Sequence, residues 1–247
     1  MELNPKLRNV EKYKPAYRLN EFPKTFPLDL GIELIYLLST RGTPRLEGSD
    51  WEEMFARLIK ARWKPSNVGL DDIVKEQTAW GAKTVKNKRP STVSKIRLIS
   101  GRNSPVYSFG DNEVSNCDPN ELGKKVLSIW NERVASIRKL YKHVRTVVLI
   151  KSDNLLEAAI FEFETIIYVQ NNFWWQWNER GNLEGFNKSR DQHLFTWQPH
   201  GSQFTIIETV PDKRLAIRIK QPPKIDHKSV LKSIKYDESW VEIISQC

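Results

Sequence analysis

A short apolar run at positions 145–150 constrains the fold of this chain more than any other feature. The run reads Arg-Thr-Val-Val-Leu-Ile and lacks the polar–apolar alternation of a half-exposed strand. Continuous apolar and β-branched residues are typical of a strand that is covered on both faces. The run therefore predicts an inner strand of a sheet that has a packed layer on each side.

Helical segments before this strand can supply the covering layers. Residues 28–38 carry apolar side chains at helical spacing. Ser49–Glu52 fits a capping box, and the apolar residues that follow it recur at the same spacing. A longer helix is predicted up to about Tyr141, with Asp118 or Asn120 as its cap. Three helices thus precede the buried strand.

Short strands account for much of the remaining chain. Residues 70–74 and 78–85 are predicted to form a hairpin, and 93–99 another strand. Further strands are predicted at 156–169, 172–177, 194–197, 204–207 and 214–219, and a short helix and strand at 230–244. These elements predict an α/β (α+β) fold, in which a mixed central β-sheet is flanked by helices and the C-terminal half is rich in strands.

The charge of the chain favours a polyanionic partner. The formal net charge is +9 and the sequence pI is about 9.4. No acidic residue occurs from Gln77 to Gly110, whereas a solvated charged face usually mixes both signs. The basic residues of this segment are Lys83, Lys86, Lys88, Arg89, Lys95, Arg97 and Arg102. The segment therefore predicts a phosphate-binding surface, with an ordinary solvated face as the alternative.

Several other classes of protein do not fit the sequence. No run of about 18 apolar residues is present, so no membrane span is predicted, and the polar N-terminus does not resemble a signal peptide. Only Cys117 and Cys247 are present, so a disulfide framework is not expected and a cytoplasmic location fits. The four histidines are scattered, and neither a glycine-rich phosphate loop nor a Gly-x-Ser-x-Gly elbow occurs.

The predicted hairpin carries an acid pair and a lysine that could form a catalytic site. Asp71 and Asp72 lie at the start of its first strand, and Lys83 lies on its second. Carboxylates bind hard divalent cations, and a nearby ammonium can orient or activate a metal-bound water. The purely structural alternatives are that the acids belong to a turn or a helix cap and that Lys83 is a solvated lysine on an edge strand.

The order of these elements resembles the catalytic core of the PD-(D/E)XK nucleases, and the layout is most similar to a type II restriction endonuclease. The resemblance covers roughly 49–150. It implies Mg²⁺ as the cofactor, double-stranded DNA as the substrate and hydrolysis of a phosphodiester at a specific sequence. Many members act as dimers on palindromic sites, so the resemblance also suggests a homodimer.

The resemblance assigns roles to individual residues and exposes one departure. Asp72 matches the first acid of the family and Lys83 the motif lysine. The second acid should lie two residues before the lysine, but that position is Gly81. Asp71, Glu53 and Glu76 are candidate sources of a further metal-binding carboxylate, of which Glu53 is favoured because Glu52 is expected to cap its helix. Glu162 and Glu164 are expected on the solvent-exposed face of a strand and form an alternative pair of metal-binding carboxylates.

Candidate DNA contacts come from loops and from the acid-free segment. Asparagine and glutamine can pair with adenine and arginine with guanine, while lysine binds phosphate. The candidates are Arg41, Arg45, Lys86, Lys88, Arg89, Lys95, Arg97, Arg102, Asn103, Gln198, His200 and Gln203. A non-catalytic nucleic-acid-binding protein, or a repair nuclease of the same fold, remains the alternative, since Gly81 supplies no ligand.

The chain shows no internal repeat and no low-complexity linker, so a single nuclease domain over 1–247 is expected. Within it we predict an N-terminal arm and helix at 1–48, a catalytic core at 49–150 and a strand-rich recognition part at 151–247.

Overall fold

The computed structural model of the protein describes residues 13–41, 43–65, 69–110, 114 and 117–245. These residues form a mixed α+β fold with two sheets, which confirms the predicted fold class. The helices are α1 (Phe26–Thr40), α2 (Gly48–Leu58), α3 (Pro105–Phe109), α4 (Pro119–Leu140) and α5 (His227–Ser233). Within the described ranges, none of these helices is both long and apolar enough to span a bilayer.

Six strands form a mixed central sheet in the order β1-β2-β3-β5-β6-β11. They are β1 (Arg62–Trp63), β2 (Ile73–Lys75), β3 (Thr78–Lys86), β5 (His143–Lys151), β6 (Glu157–Glu164) and β11 (Leu215–Arg218). The β3–β5 pair is parallel and its neighbours are antiparallel. The predicted hairpin is therefore present as β2 and β3, beside the predicted inner strand β5.

The other five strands form an antiparallel second sheet in the order β4-β10-β9-β8-β7. They are β4 (Lys95–Arg102), β7 (Phe173–Trp177), β8 (Leu183–Asn187), β9 (Gln192–Gln198) and β10 (Gln203–Thr209). The sheets do not follow the sequence division at residue 150. Strand β4 joins the second sheet from the first half of the chain, whereas β6 and β11 join the central sheet from the second half.

The core explains why β5 is continuously apolar from Val147 to Ile150. Val147 and Leu149 face one cluster that includes α1 and α2, whereas Val148 and Ile150 face the opposite side of the sheet. Near the start of the strand, Val144 packs in the cluster that α4 shares with the second sheet. Both faces of β5 are thus covered, as the continuous apolar run predicted.

Helix α4 is the element that joins the two sheets. Asp118 caps it by accepting hydrogen bonds from the backbone N–H groups of Asn120 and Glu121, at 2.9 and 3.0 Å. Near this end a Cβ at Gly123 would lie 2.2 Å from the Trp175 ring of β7, so only glycine allows the second sheet to approach this closely. The apolar side of the helix packs between the sheets.

Three local predictions were wrong: the cap of α2, the segment that forms β8, and the strand expected within 230–244. Helix α2 begins at Gly48, and Asp50 accepts the backbone N–H of Glu47 at 2.8 Å, so Glu52 has no capping role. Strand β8 lies where only a turn and loop were expected. Segment 230–244 contributes to α5, but no strand follows among the described residues.

Glu162 lies in the interior and not on a wet face, which corrects another prediction. It accepts hydrogen bonds from the Tyr17 hydroxyl at 2.5 Å and from Trp80 Nε1 at 2.7 Å, and Arg145 lies 3.5 Å away. The N-terminal segment that carries Tyr17 covers this part of the central sheet. Burial raises the pKa of Glu162 although these partners favour the carboxylate. Glu162 therefore fastens the N-terminal segment to the sheet.

Candidate functional site

Asp72 and Lys83 lie on one face of the central sheet. Ile73 pairs with Trp80 in the β2–β3 register, so Asp72 lies level with Gly81. Because side chains alternate along a strand, Asp72, Gly81 and Lys83 share the side of Leu70, Val74 and Ala79, which pack against α4. We call this side the α4 face. Asp72 is only 4% exposed and Lys83 is half-buried.

Arg133 of α4 enters the same region. Its Nη1 atom donates hydrogen bonds to the Ser100 carbonyl at 3.1 Å and to Asn103 Oδ1 at 3.2 Å. A Cβ at position 101 would lie 2.3 Å from this Nη1, and Gly101 has φ +136°, so glycine makes room for the guanidinium. Burial lowers the pKa of Arg133, and the charge of Asp72 opposes this shift. The guanidinium, held by Ser100 and Asn103, therefore lies close enough to Asp72 for their charges to interact.

The electrostatics of Lys83 link four charged side chains. Burial lowers the pKa of Lys83; Asp72 opposes the shift, Arg133 adds to it, and Glu52 opposes it more weakly. We call these four residues the charged cluster. Glu52 belongs to α2 and accepts a hydrogen bond from Trp63 Nε1 of the edge strand β1 at 3.3 Å, and its charge acts on Lys83 less strongly than that of Asp72. A lysine with a lowered pKa gives up its proton more readily, which suits acid–base chemistry.

Backbone atoms fill the position where a second acid would lie. A Cβ at Gly81 would lie 2.7 Å from the Gly69 carbonyl oxygen and 3.2 Å from Leu70 Cα. The same Gly69 oxygen accepts a hydrogen bond from Lys83 Nζ at 3.5 Å. The glycine at position 81 is therefore required by the close approach of segment 69–70, and no side chain fits there.

The carboxylates around Asp72 decide whether the site can hold a divalent cation. In the described part of the chain, no three His, Cys, Asp or Glu side chains come together in a metal-binding group. Mg²⁺ commonly uses one or two protein carboxylates and takes its other ligands from substrate phosphate and water. Asp72, with Glu52 as the second carboxylate near Lys83, is compatible with such a site.

The other predicted metal-binding acids lie elsewhere. Glu53 turns away from the charged cluster, is 56% exposed, and has Arg57 3.5 Å away. Glu76 occupies the exposed β2–β3 turn with φ 52°, at the far end of β2 from Asp72. Asp71 is buried and its carboxylate pairs with Lys64 at 3.1 Å. None of these three side chains joins Asp72 and Lys83 on the α4 face.

Several predicted DNA contacts meet at one end of the second sheet. Arg102 pairs with Gln203, and Gln203 pairs with Gln198, so the three form a row across β4, β10 and β9. His200 lies in the exposed turn that joins β9 to β10. Gln198 also lines a cavity of about 370 Å³ with Arg97 of β4. The row lies beside the part of β4 that contacts Arg133.

Three predicted contacts have structural partners that change their interpretation. Asn103 is fully buried, where it donates to the Val126 carbonyl at 3.0 Å and accepts from Arg133, so it positions Arg133 and does not face DNA. Arg41 binds both oxygens of Asp50, at 2.7 and 2.8 Å. Arg45 lies 3.6 Å from Glu47, so it too has a nearby carboxylate.

The remaining predicted contacts are exposed cations. Lys88, Arg89, Lys95, Arg97 and Arg102 are all exposed. In the described ranges, none of these five residues has a carboxylate within ion-pair distance. Lys86 lies 3.7 Å from Asp153 and lines a cavity of about 550 Å³ with Arg45 and the buried Lys151. These five cations therefore form a basic surface whose charge is not neutralised by neighbouring carboxylates.

The sequence analysis did not single out Arg133, and it favoured Glu53 over Glu52 as a metal-binding acid. Arg133 lies next to the apolar stripe of the predicted long helix, and a cation at such a border was the available signal. Glu52 was set aside for a capping role that Asp50 performs. Comparisons of the chain with protein-family models, with curated proteins and with solved structures gave no match.

Proposed function

We propose that this protein is a Mg²⁺-dependent endonuclease that hydrolyses phosphodiester bonds of double-stranded DNA at specific sequences, as a type II restriction enzyme does. The observation that carries the proposal is the shared α4 face of Asp72 and Lys83, with Arg133 beside Asp72. Two oppositely charged side chains of a hairpin and a half-buried guanidinium form a site that suits a phosphate and its attacking water.

The proposed roles follow from the chemistry of each side chain. Asp72 and Glu52 would hold Mg²⁺, which when bound supplies charge neutralisation and an activated water. Lys83 Nζ, in its neutral form, accepts a proton from the water that attacks phosphorus, while the leaving 3′ oxygen takes a proton from solvent. Arg133 donates to a non-bridging phosphate oxygen and stabilises the charge that develops there.

The second sheet is the proposed recognition surface. Gln198 and Gln203 can pair bidentately with adenine, and Arg97 and Arg102 with guanine. The exposed Lys88, Arg89 and Lys95 bind phosphates, which fix the register without reading sequence. Arg133 contacts the end of β4, so base reading on that sheet is mechanically connected to the proposed cleavage site.

A non-catalytic DNA-binding protein is the second candidate function. It is favoured by the absence of an acid at Gly81 and by the lack of space for one. In that case Asp72 neutralises the buried Arg133 and Lys83, and the basic surface alone accounts for function. Binding without cleavage is the behaviour expected of this candidate.

Plasmid cleavage with and without Mg²⁺ separates the two functions. We expect discrete fragments from wild type in Mg²⁺ and a loss of at least about 100-fold in rate for Asp72→Asn. Glu52→Gln and Glu53→Gln form a matched pair, because of these two acids only Glu52 acts electrostatically on Lys83. The first change should slow cleavage and the second should not. Tight binding with no cleavage by folded wild type would refute the enzymatic proposal.

A further inference from the structure

Two exposed apolar surfaces lie on the side of the central sheet opposite the α4 face. Helix α1 packs on the other face of the central sheet and turns four large apolar side chains to solvent. These residues, which we call the α1 stripe, are Leu28, Ile32, Ile35 and Tyr36, with exposures of 70, 55, 40 and 66%. A contiguous exposed stripe of this kind marks an interaction site more often than an ordinary surface.

The second apolar surface is the segment 226–245, which we call the arm. Every residue from Pro223 to Ser245 is exposed. The large apolar residues of the arm are Val230, Leu231, Ile234, Tyr236, Trp240, Val241, Ile243 and Ile244. So many exposed apolar side chains in one short segment need a covering surface, because leaving them in water is unfavourable.

The arm leaves the protein beside the α1 stripe. Ile219 lies against α1, with its Cγ2 atom 3.8 Å from where a Cβ of Gly31 would be. Farther along the helix, the backbone N–H of Ile225 donates to the Ser39 carbonyl at 2.9 Å. Segment 219–225 thus runs along α1, and the arm emerges at the end of the helix. Among the described residues, the hydrogen bonds of the arm beyond Ile225 stay within the arm.

The borders of the two surfaces carry opposite charges. On α1, Asp29 and Glu33 lie one helical turn apart beside the stripe, and Glu33 already pairs with Arg57 at 2.8 Å. On α5, Lys228 and Lys232 lie one turn apart beside the apolar Val230, Leu231 and Ile234. An apolar stripe with an acidic border therefore matches an apolar face with a basic border.

We propose that the arm of each copy of this chain covers the α1 stripe of a second copy, so that the protein forms a dimer by reciprocal exchange of arms. Since the arm emerges beside the stripe, a two-fold axis brings both arms onto both stripes in a closed, self-complementary interface. The arm together with the stripe approaches the 20–30 residues a side, or roughly 800 Å² per partner, of a standard stable interface. This proposal does not rest on nuclease activity.

The test uses charge reversal and the oligomeric state of the full chain. Wild type should sediment as a dimer at micromolar concentration. Lys228→Glu with Lys232→Glu in one chain, and Asp29→Lys in another, should each weaken self-association at least about 10-fold, because each creates like charges across the interface. The two variants mixed in equal amounts should recover dimers, since the arm of each then meets the opposite charge on the other. Lys139→Glu on α4 serves as the matched control.

The remaining possible results of this test contradict the proposal. A wild type that stays monomeric at all concentrations would mean that the arm covers no second copy. Dimers that persist unchanged in both variants would place the interface elsewhere, and failure of the mixture to recover dimers would exclude arm exchange. The combined change Trp240→Ser and Ile243→Ser should also give monomers, and because both side chains are exposed its melting temperature should show that the fold is intact.

Discussion

The substitution Gly81→Ala gives the most direct test of the site geometry. The added Cβ would lie 2.7 Å from the Gly69 carbonyl oxygen and 3.2 Å from Leu70 Cα, and both neighbours are backbone atoms. Backbone cannot rotate away as a flexible side chain can, so the strand or segment 69–70 must shift. Overpacking of this kind costs about 1–3 kcal/mol, and we expect the upper half of that range.

The measurement is urea unfolding followed by circular dichroism. A loss of about 2–3 kcal/mol corresponds to a fall in melting temperature of roughly 5–10 °C for a domain of this size. Gly48→Ala is the control, because nothing lies within 4 Å of the Cβ that it adds. It should change the free energy of unfolding by less than about 0.5 kcal/mol.

The same contact predicts an effect on the charged cluster. Gly69 accepts the Lys83 hydrogen bond, so a displaced segment 69–70 should weaken cleavage as well as stability. Gly81→Glu, which restores the acid of the resembled family, should be destabilised further and should gain no activity. A Gly81→Ala protein as stable as wild type would refute the assignment of position 81 as sterically filled.

Three further predictions concern buried charges. Because burial lowers the pKa of Lys83, the single-turnover cleavage rate of wild type should rise with pH through that lowered pKa and then level off. Lys83→Arg should show no such rise and little activity. A parallel rise in wild type and in the variant would exclude proton transfer to Lys83. Burial raises the pKa of Glu208 to about 7. The contribution of the protonated Glu208 to the free energy of unfolding is complete below about pH 4.5 and is lost as pH rises through 7. Over that range the free energy of unfolding of wild type should fall by up to about 3 kcal/mol relative to Glu208→Gln. Equal pH dependence of the two free energies would refute this prediction. Arg133→Lys keeps the charge but loses the planar guanidinium, whose other N–H groups are left for phosphate once Nη1 binds Ser100 and Asn103, so it should cut at least about 100-fold more slowly in gel assays with unchanged DNA affinity. Full activity of this variant would remove Arg133 from the site.

The two proposals use opposite faces of the central sheet. Lys83 and Arg133 lie on the α4 face, whereas the α1 stripe and the arm lie beyond the helices on the other side. Variants of Lys83 or Arg133 therefore do not touch the α1 stripe or the arm. Loss of dimerisation with cleavage retained, or the reverse, would show which of the two proposals holds.

The elements of the fold could be read largely from local patterns. The continuous apolar run of β5, the helical spacing of α1, α2 and α4, and the hairpin β2–β3 all depend on nearby residues, and burial imposes these periodicities directly. The parallel pairing of β3 with β5 also follows from a long helical connection between them. Strand β8 was missed because its five residues, Leu183–Asn187, alternate only weakly and contain Gly185.

The composition of the candidate site depended on tertiary contacts. Asp72 and Lys83 could be named because they belong to one hairpin, where strand alternation fixes their common face. Arg133 and Glu52 come from two different helices, and only the packing of those helices brings them near Lys83. Glu52 and Glu53 are adjacent in sequence, and the rotation of α2 about its axis places Glu52 beside Trp63 and Glu53 beside Arg57. The backbone of Gly69 and Leu70 fills the space beside Gly81, and such an approach leaves no periodic trace in the sequence. The sequence by itself thus determined the strands, the helices and the hairpin pair, whereas the packing of distant elements decided the charged cluster.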